Sequence, residues 1–279
     1  MQKKVLAIND ISCVGRCSLT VALPIISAAK IECSILPTAI LSTHTGGFSG
    51  YTFTDFTSEM MNIANHWNSL NIKFNSIYTG FLGSKEQISI VKDIVKMFKK
   101  DDVKVIVDPA MADNGSMYSI FDLAFAEEMK KLCFGADVIV PNITEACFLT
   151  NTEYEPIPHS KEFIDRLVYK LGLLNIKSLV LTGVSYDGNS LGALTYDYEN
   201  KIQSYYNREI INEYFHGTGD CFASALVAAI TSGKSLEESS KIAVDFTVDS
   251  ILKTIKYPNI DKKYGVCFEE ALSGLIAKI

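Results

Sequence analysis

The chain has 279 residues, 48% of them hydrophobic and 21% charged, which is typical of a globular protein with a sizeable core. Its formal charge of −6, without any run of lysine and arginine, argues against nucleic acid as the main partner. No apolar stretch is long enough to span a bilayer and no signal-peptide pattern opens the sequence, so we expect a cytoplasmic protein with no membrane partner.

Strand-like runs alternate with helical patterns through most of the chain. In order, the patterns predict a strand at 5–8, a helix at 18–30, a strand at 34–41, a helix at 55–70, a strand at 76–80, a helix at 85–100, a strand at 103–107, a helix at 119–133, a strand at 138–140, helices at 143–149 and 161–174, and a strand at 178–182. An antiparallel hairpin at 191–196 and 202–208 and three helical runs follow.

This order predicts an α/β fold of three layers, α/β/α, with a mostly parallel central sheet flanked by helices and antiparallel strands toward the C-terminal part. No linker or repeat divides the chain, so we expect one domain over residues 1–279. Residues 42–54 are rich in Gly, Thr, Ser and aromatics. That composition suits a flap that closes over a substrate and excludes water, or an ordinary exposed loop.

Polar residues follow several predicted strands, at the edge where open parallel sheets bind ligands. They are Asn9 and Asp10, Thr79, Asp108 with Asp113, Asn142 with Glu145, and Thr182. Asn142-x-x-Glu145 places an amide and a carboxylate on one side of a helical turn, where Mg²⁺ could be reached directly or through water. In the alternative interpretation Asn142 caps the helix with Glu145 close to its N-terminus. Asp108 and Asp113 also fit ordinary turns.

The most informative stretch is Gly217-Thr218-Gly219-Asp220, which precedes an apolar run of small residues. The run predicts a buried helix, and the two glycines allow the backbone to turn sharply and approach a ligand. Free N–H groups at the helix start would then converge on an oxyanion, with Asp220 beside it as a proton acceptor. Phosphoryl transfer to a hydroxyl requires that pairing of groups. A glycine-rich loop with Asp220 as an ordinary cap is the other interpretation.

Taken together and in this order, the motifs resemble those of the ribokinase-like superfamily, and within it those of the pyridoxal (vitamin B6) kinases, over nearly the full length. The resemblance is carried by residues 7–15, 42–46, 79–84, 108–113, 140–145 and 217–220. The vitamin B6 subgroup rests mainly on His44-Thr45 and on residues 80–84.

The resemblance implies ATP-dependent phosphorylation of the 5′-hydroxymethyl group of pyridoxal, pyridoxamine or pyridoxine, with Mg²⁺ as cofactor, a K⁺ requirement left open, and a homodimeric assembly. It assigns the base to Asp220 and the anion hole to the amides of Gly217, Thr218 and Gly219. The further implied positions are Asp113, Asn142, Glu145, Thr182 and Gly183 for ATP, Asp108, Asp113 and Glu145 for the metal, and Asp10, His44, Thr45 and Phe81 for the pyridine ring.

Two positions depart from the resemblance: Asp10 stands where a serine is common and Phe81 where a tyrosine is common. A carboxylate at position 10 would favour a protonated ring. The alternatives are a hydroxymethylpyrimidine kinase of the same superfamily and a non-catalytic nucleotide or vitamer sensor. A sugar kinase is disfavoured because the predicted pocket is apolar, and a dinucleotide oxidoreductase because no G-x-G-x-x-G follows the first strand.

Overall fold

A computed structural model describes residues 2–279. The strands are β1 (Lys4–Val14), β2 (Glu32–Thr43), β3 (Phe53–Asp55), β4 (Ser76–Thr79), β5 (Lys104–Val107), β6 (Ala112–Asp113), β7 (Ser116–Met117), β8 (Val138–Ile139), β9 (Ser178–Val184), β10 (Ser190–Asp197) and β11 (Ile202–Glu209). The α-helices are α1 (Leu19–Ala28), α2 (Thr57–Ser69), α3 (Lys85–Phe98), α4 (Leu123–Cys133), α5 (Ile143–Thr150), α6 (Lys161–Gly172), α7 (Thr218–Ser232), α8 (Leu236–Thr254) and α9 (Leu272–Ile276). Two short 3₁₀ turns, Lys262–Tyr264 and Phe268–Ala271, precede α9.

Nine strands form one sheet in the order β11-β10-β9-β8-β5-β4-β1-β2-β3. The six strands from β9 to β2 in that order run parallel, whereas β10, β11 and β3 are antiparallel to their neighbours. The strand order reverses at β1, between β2 and β4. In an open parallel sheet, such a reversal leaves a crevice beyond the carboxyl ends of the strands.

Two hydrophobic clusters cover the two faces of the sheet. One contains Leu6, Ile8 and Ile77 with the buried sides of α2 to α6, and the other contains Ala7 and Tyr78 with α1, α7 and α8. Alternate residues of β1 and β4 therefore enter opposite clusters, as a strand buried on both faces requires. The predicted fold class, three layers around a mostly parallel sheet with antiparallel strands near the C-terminus, is confirmed.

Several element boundaries differ from the sequence prediction. β1 continues past Ile8 to Val14, because beyond a bulge at Asn9/Ile11 it stays paired with β2 after its pairing with β4 has ended. Helix α4 begins at Leu123 rather than at 119, because the Asp122 side chain accepts a hydrogen bond from the Phe125 N–H and caps the helix there. The small β6–β7 hairpin was not predicted.

Residues 42–54 form the tip of a β-hairpin rather than a separate loop. β2 runs to Thr43 and β3 starts at Phe53, where Leu41 and Phe53 are paired. The tip thus joins two ordered strands at the edge of the sheet. None of the helices formed by residues 2–279 is both long and apolar enough to cross a bilayer.

Candidate active site

Asn9 organises the crevice between β1 and β4. These two strands pair only as far as Ile8 and Thr79. Beyond that point, the Asn9 side-chain oxygen accepts hydrogen bonds from the Phe81 N–H (2.8 Å) and the Asp10 N–H (2.9 Å). A Cβ at Gly80 would lie 2.3 Å from the Asn9 Nδ2, so the close approach requires glycine there. Asn9 therefore holds the chain segments that carry Asp10 and Phe81.

The N-terminus of α7 faces this crevice. Gly217 has φ 76°, and a Cβ on it would lie 1.9 Å from the Arg16 carbonyl oxygen, so only glycine fits. A Cβ at Gly219, in contrast, would meet no atom within 4 Å. The first N–H groups of a helix have no acceptor inside it and carry the positive end of its dipole. Open space next to such N–H groups is suited to an oxyanion.

Asp220 lies in the first turn of α7, immediately before a run from Cys221 to Thr231 that is buried throughout. Burial raises the pKa of the Asp220 carboxyl to about 6, although the Ser18 backbone N–H and the Asn9 side chain, which both face the carboxyl, lower it. Ser18 itself has φ 59°, a left-handed conformation that is uncommon for a residue other than glycine. Strain of that kind is found where the surroundings hold a functional arrangement in place. The positive φ of Ser18 directs its backbone N–H toward Asp220.

Asp10 is a second carboxylate close to Asp220. It is buried and accepts a hydrogen bond from the Ser12 hydroxyl at 3.0 Å. Burial raises the pKa of Asp10, while hydrogen bonds from Ser18 and Ser12 and the nearby His44 lower it. The charge of Asp10 in turn contributes to the raised pKa of Asp220. The structure thus brings both acidic residues of the predicted acceptor site to one side of the crevice.

His44 links the hairpin tip to the C-terminal part of the chain. Its Nε2 is 2.6 Å from the Lys263 carbonyl oxygen and its Nδ1 accepts a hydrogen bond from the Gly46 N–H at 3.2 Å. Both ring nitrogens are therefore occupied by backbone, and the ring can meet a ligand only through its face or edge. Thr45, the next residue, is exposed at the tip. His216 packs against both His44 and Gly46.

Phe81 lies half-buried just beyond the end of β4. Its ring is 5.7 Å from that of Phe121, which stacks on Phe125 at 3.8 Å. The Phe81 carbonyl accepts a hydrogen bond from Thr38, which fixes the backbone on the side of β2. The three rings together form an apolar aromatic wall beside the end of β4.

The Asn142–Glu145 motif forms a capping box at the start of α5. Asn142 Oδ1 accepts from the Glu145 N–H, and Glu145 Oε2 accepts from the Asn142 N–H, both at 2.9 Å. The remaining polar atoms hold the neighbouring loop: Asn142 Nδ2 donates to the Ala112 carbonyl (2.8 Å), and Glu145 Oε1 accepts from the Met111 N–H (3.1 Å). The capping interpretation is the one that the structure shows, and the motif positions the loop that carries Asp113.

Asp108 and Asp113 occupy different parts of that loop. Asp113 ends β6, where its carboxylate lies 3.4 Å from the Tyr214 hydroxyl. Asp108 follows β5, and burial together with the charges of Glu145 and Asp220 raises its pKa well above the ordinary value. Glu145 is also buried, and its pKa is raised chiefly for that reason. The like charges of Asp108, Glu145 and Asp220, so close together, favour either a bound cation or protonation.

A metal held entirely by protein side chains does not fit this site. Across residues 2–279, no three His, Cys, Asp or Glu side chains come together as a metal-binding group, and both Glu145 oxygens already accept backbone N–H groups. Asp108 is left as a half-buried carboxylate at the strand end. Mg²⁺ is commonly held by one or two carboxylates, waters and substrate phosphates, and this arrangement fits the residues present.

Thr182 and Gly183 lie beside Asn142, where Thr182 forms a parallel bridge to Asn142 and its N–H donates to the Pro141 carbonyl at 2.9 Å. Gly183 has φ 77°, and a Cβ there would have a single neighbour, Ile143, at 3.9 Å. Of the predicted ATP positions, Thr182 and Gly183 therefore lie together with Asn142 at the start of α5. Sequence reasoning missed Ser18, whose N–H faces Asp220, and Tyr214, whose hydroxyl faces Asp113. Nothing in a single sequence marks a positive φ at Ser18.

Comparisons with known proteins show the family to which the chain belongs. The model of the family described as phosphomethylpyrimidine kinase matches residues 23–265. A Bacteroides thetaiotaomicron protein assigned to the phosphomethylpyrimidine kinases, solved with pyridoxal, is 33% identical, with a TM-score of 0.93 over 99% of this chain and 96% of that one. Pyridoxal kinase from Lactobacillus plantarum is 26% identical, with a TM-score of 0.89 over 99% and 98% of the two chains.

A Schizosaccharomyces pombe protein described as a pyridoxal kinase is 28% identical over 71% of this chain, and the matched region spans 58% of the yeast protein's length. The predicted resemblance to the vitamin B6 kinases of the ribokinase-like superfamily is confirmed by these matches.

Proposed function

The chain belongs to the phosphomethylpyrimidine kinase family, and on that premise we propose that it transfers the γ-phosphoryl group of ATP to the 5′-hydroxymethyl group of a vitamin B6 vitamer. One observation carries the proposal. Asp220 stands in the first turn of α7, beside the free N–H groups and the open space at Gly219. A carboxylate that accepts a proton and a cradle that binds an oxyanion are thereby adjacent.

In the proposed reaction the acceptor hydroxyl donates a hydrogen bond to the Asp220 carboxylate, which directs the oxygen at the γ-phosphorus. A pKa of about 6 keeps this group ionised at neutral pH while making it a better proton acceptor than an ordinary aspartate. The proton leaves late, because the alcohol becomes acidic only as its oxygen bonds to phosphorus. Alignment and dipoles at the helix terminus therefore supply most of the acceleration.

Asp108 is the residue best placed to hold Mg²⁺, together with the nucleotide phosphates, and Glu145 and Asp113 would act from further away through water. A bound Mg²⁺ would neutralise negative charge on the phosphates. Asn142 and Glu145 contribute by fixing the loop at Met111 and Ala112. Thr182 and Gly183 would border the nucleotide.

On the acceptor side, the aromatic wall at Phe81 suits one face of a flat ring, and Asp10 supplies a charge at its edge. A pyridine ring can be protonated in such a place, because a nearby carboxylate favours the charged form. Hydroxymethylpyrimidine kinase is the second candidate, since the family description and the size of the ring both permit it. A buried Asp10 favours the more basic pyridine.

The deciding experiment measures ATP-dependent phosphorylation of pyridoxal, pyridoxamine, pyridoxine, hydroxymethylpyrimidine and ribose, with and without Mg²⁺ and K⁺. The proposal expects the 5′-phosphate of at least one vitamer, a strict Mg²⁺ requirement and little product from ribose. Preferred phosphorylation of hydroxymethylpyrimidine would establish the second candidate instead. Binding of nucleotide and vitamer without any product would show a sensor. The homodimer stays a prediction, which sedimentation of the purified chain would test.

A further inference from the structure

Two buried hydroxyl groups, on β4 and on α7, have no role in the proposed reaction. Tyr78 and Ser224 are each 0% exposed. Within residues 2–279, the Tyr78 hydroxyl and the Ser224 Oγ have no hydrogen-bond partner. A buried polar group without a partner is unfavourable. The Asn9 side chain, in contrast, faces the Asp220 carboxyl and lowers its pKa, so it is the two hydroxyls that call for a common explanation.

The strand register places Tyr78 directly beneath the crevice. It pairs with Ala7 on β1 and Ile106 on β5, so its side chain shares a face with Asn9 and Asp108, two residues further along those strands. The equivalent position on β4 is Gly80, which has no side chain. The long Tyr78 ring can therefore extend toward the carboxyl ends of the strands.

Helix α7 closes the same space from the other side. Ser224 follows Asp220 by four residues, which puts both side chains on one side of the helix, one turn apart. α7 packs against β4. Burial raises the pKa of the Tyr78 hydroxyl, and the charges of Asp108 and Asp220 raise it further, so both carboxylates lie within electrostatic reach of the phenol.

We propose that Tyr78 is a positioning residue for the phosphoryl transfer, whose hydroxyl, together with that of Ser224, holds an ordered water that fixes the Asp220 carboxyl group. Buried waters of this kind make about three hydrogen bonds to polar groups that otherwise lack partners. Tyr78 acts through Asp220 and does not touch substrate. The kinetic part of this inference rests on the proposed function, whereas the occupancy of the site does not.

The test compares Tyr78→Phe with the matched control Tyr198→Phe. Tyr198 is also a tyrosine with an inward hydroxyl, which donates to the Val168 carbonyl at 2.6 Å, but it follows β10 at the opposite end of the sheet. Loss of an engaged hydroxyl should lower the melting temperature of each variant by about 2–4 °C. Only Tyr78→Phe should lower kcat, by about ten- to a hundredfold, with KM for ATP within about twofold of wild type.

A double-mutant cycle with Ser224→Ala identifies the shared water. If both hydroxyls hold it, the double variant should be no more than about twofold slower than Tyr78→Phe alone. Multiplicative effects would overturn the shared site. A Tyr78→Phe variant that melts at or above the wild-type temperature would show that the Tyr78 hydroxyl binds no water. That result would overturn the proposal, whatever the activity of the variant. A variant that loses stability and keeps its kcat would show a merely structural role.

The proposed function can fail separately. If the wild-type chain phosphorylates hydroxymethylpyrimidine rather than a vitamer, the same kinetic comparison is made with that acceptor. If it phosphorylates neither, the proposed function is wrong. The melting comparison then still decides whether the Tyr78 hydroxyl makes a hydrogen bond. The positioning role is overturned together with the reaction.

Discussion

Replacement of Asp220 by asparagine should make the protein more stable and nearly inactive. The carboxyl has a pKa of about 6, raised by burial from its ordinary value of 3.8. At about 1.36 kcal/mol for each pKa unit, keeping this group ionised in the folded state costs about 3 kcal/mol at neutral pH. Asparagine has nearly the same shape, still accepts a hydrogen bond from the Ser18 N–H and carries no charge.

The size of the stability gain depends on pH. Because the folded-state pKa is raised, the penalty is fully present above pH 6 and disappears as the pH falls below about 4, where the unfolded chain is protonated as well. At pH 8, Asp220→Asn should therefore raise the melting temperature by about 5 °C. The difference from wild type should shrink to almost nothing near pH 4. Turnover should fall by about a hundredfold or more, since the proton acceptor is lost.

Thermal melts of both proteins from pH 4 to pH 8, without nucleotide or Mg²⁺, measure the stability effect. Asp101→Asn, which neutralises an exposed carboxylate, serves as the control and should change the melting temperature little at any pH. A gain in stability that is the same at pH 4 and pH 8 would refute the reasoning, because it would not come from the charge. A lower melting temperature for Asp220→Asn at pH 8 would refute it too.

Three further predictions concern the rest of the site. Gly217→Ala should lose both stability and turnover, because its Cβ would lie 1.9 Å from the Arg16 carbonyl oxygen. Gly219→Ala should melt at the wild-type temperature and still lose turnover, because its Cβ would meet no atom within 4 Å. Equal melting temperatures of the two variants would contradict this difference. Asp10→Asn should raise KM for the vitamer by about tenfold and leave KM for ATP unchanged, which steady-state kinetics would check. Proteolysis within residues 44–52 should slow when a vitamer and a non-hydrolysable ATP analogue are added together, and an unchanged rate would rule out closure of a flap.

The fold was predictable because its strongest signals are local. β4 and β5 are short, largely buried runs, and α3 and α6 show clear helical periodicity that starts after a capping serine. The β6–β7 hairpin has two residues in each strand, too few for any period to be visible. The continuation of β1 beyond Ile8 depends on pairing with β2, a distant contact that the sequence of β1 does not encode.

The candidate site divides in the same way. Gly217 to Asp220 could be recognised because a turn, a helix start and a carboxylate follow each other within four residues. Tyr78 and Ser18 could not. The role of Tyr78 follows from register across three strands, and that of Ser18 from a backbone conformation that its residue type disfavours. His44 was predicted next to the ring, and the structure adds that both of its nitrogens are bound to backbone.

The most direct measurement is a crystal structure of the chain with pyridoxal and a non-hydrolysable ATP analogue. With Asp220 as the proton acceptor, the 5′-oxygen should lie within about 2.6–3.2 Å of an Asp220 carboxyl oxygen. The terminal phosphate should be held by the backbone N–H groups of residues 217–219 at the start of α7. A terminal phosphate bound elsewhere, with the Asp220 carboxyl directed away from the acceptor hydroxyl, would contradict the proposed reaction.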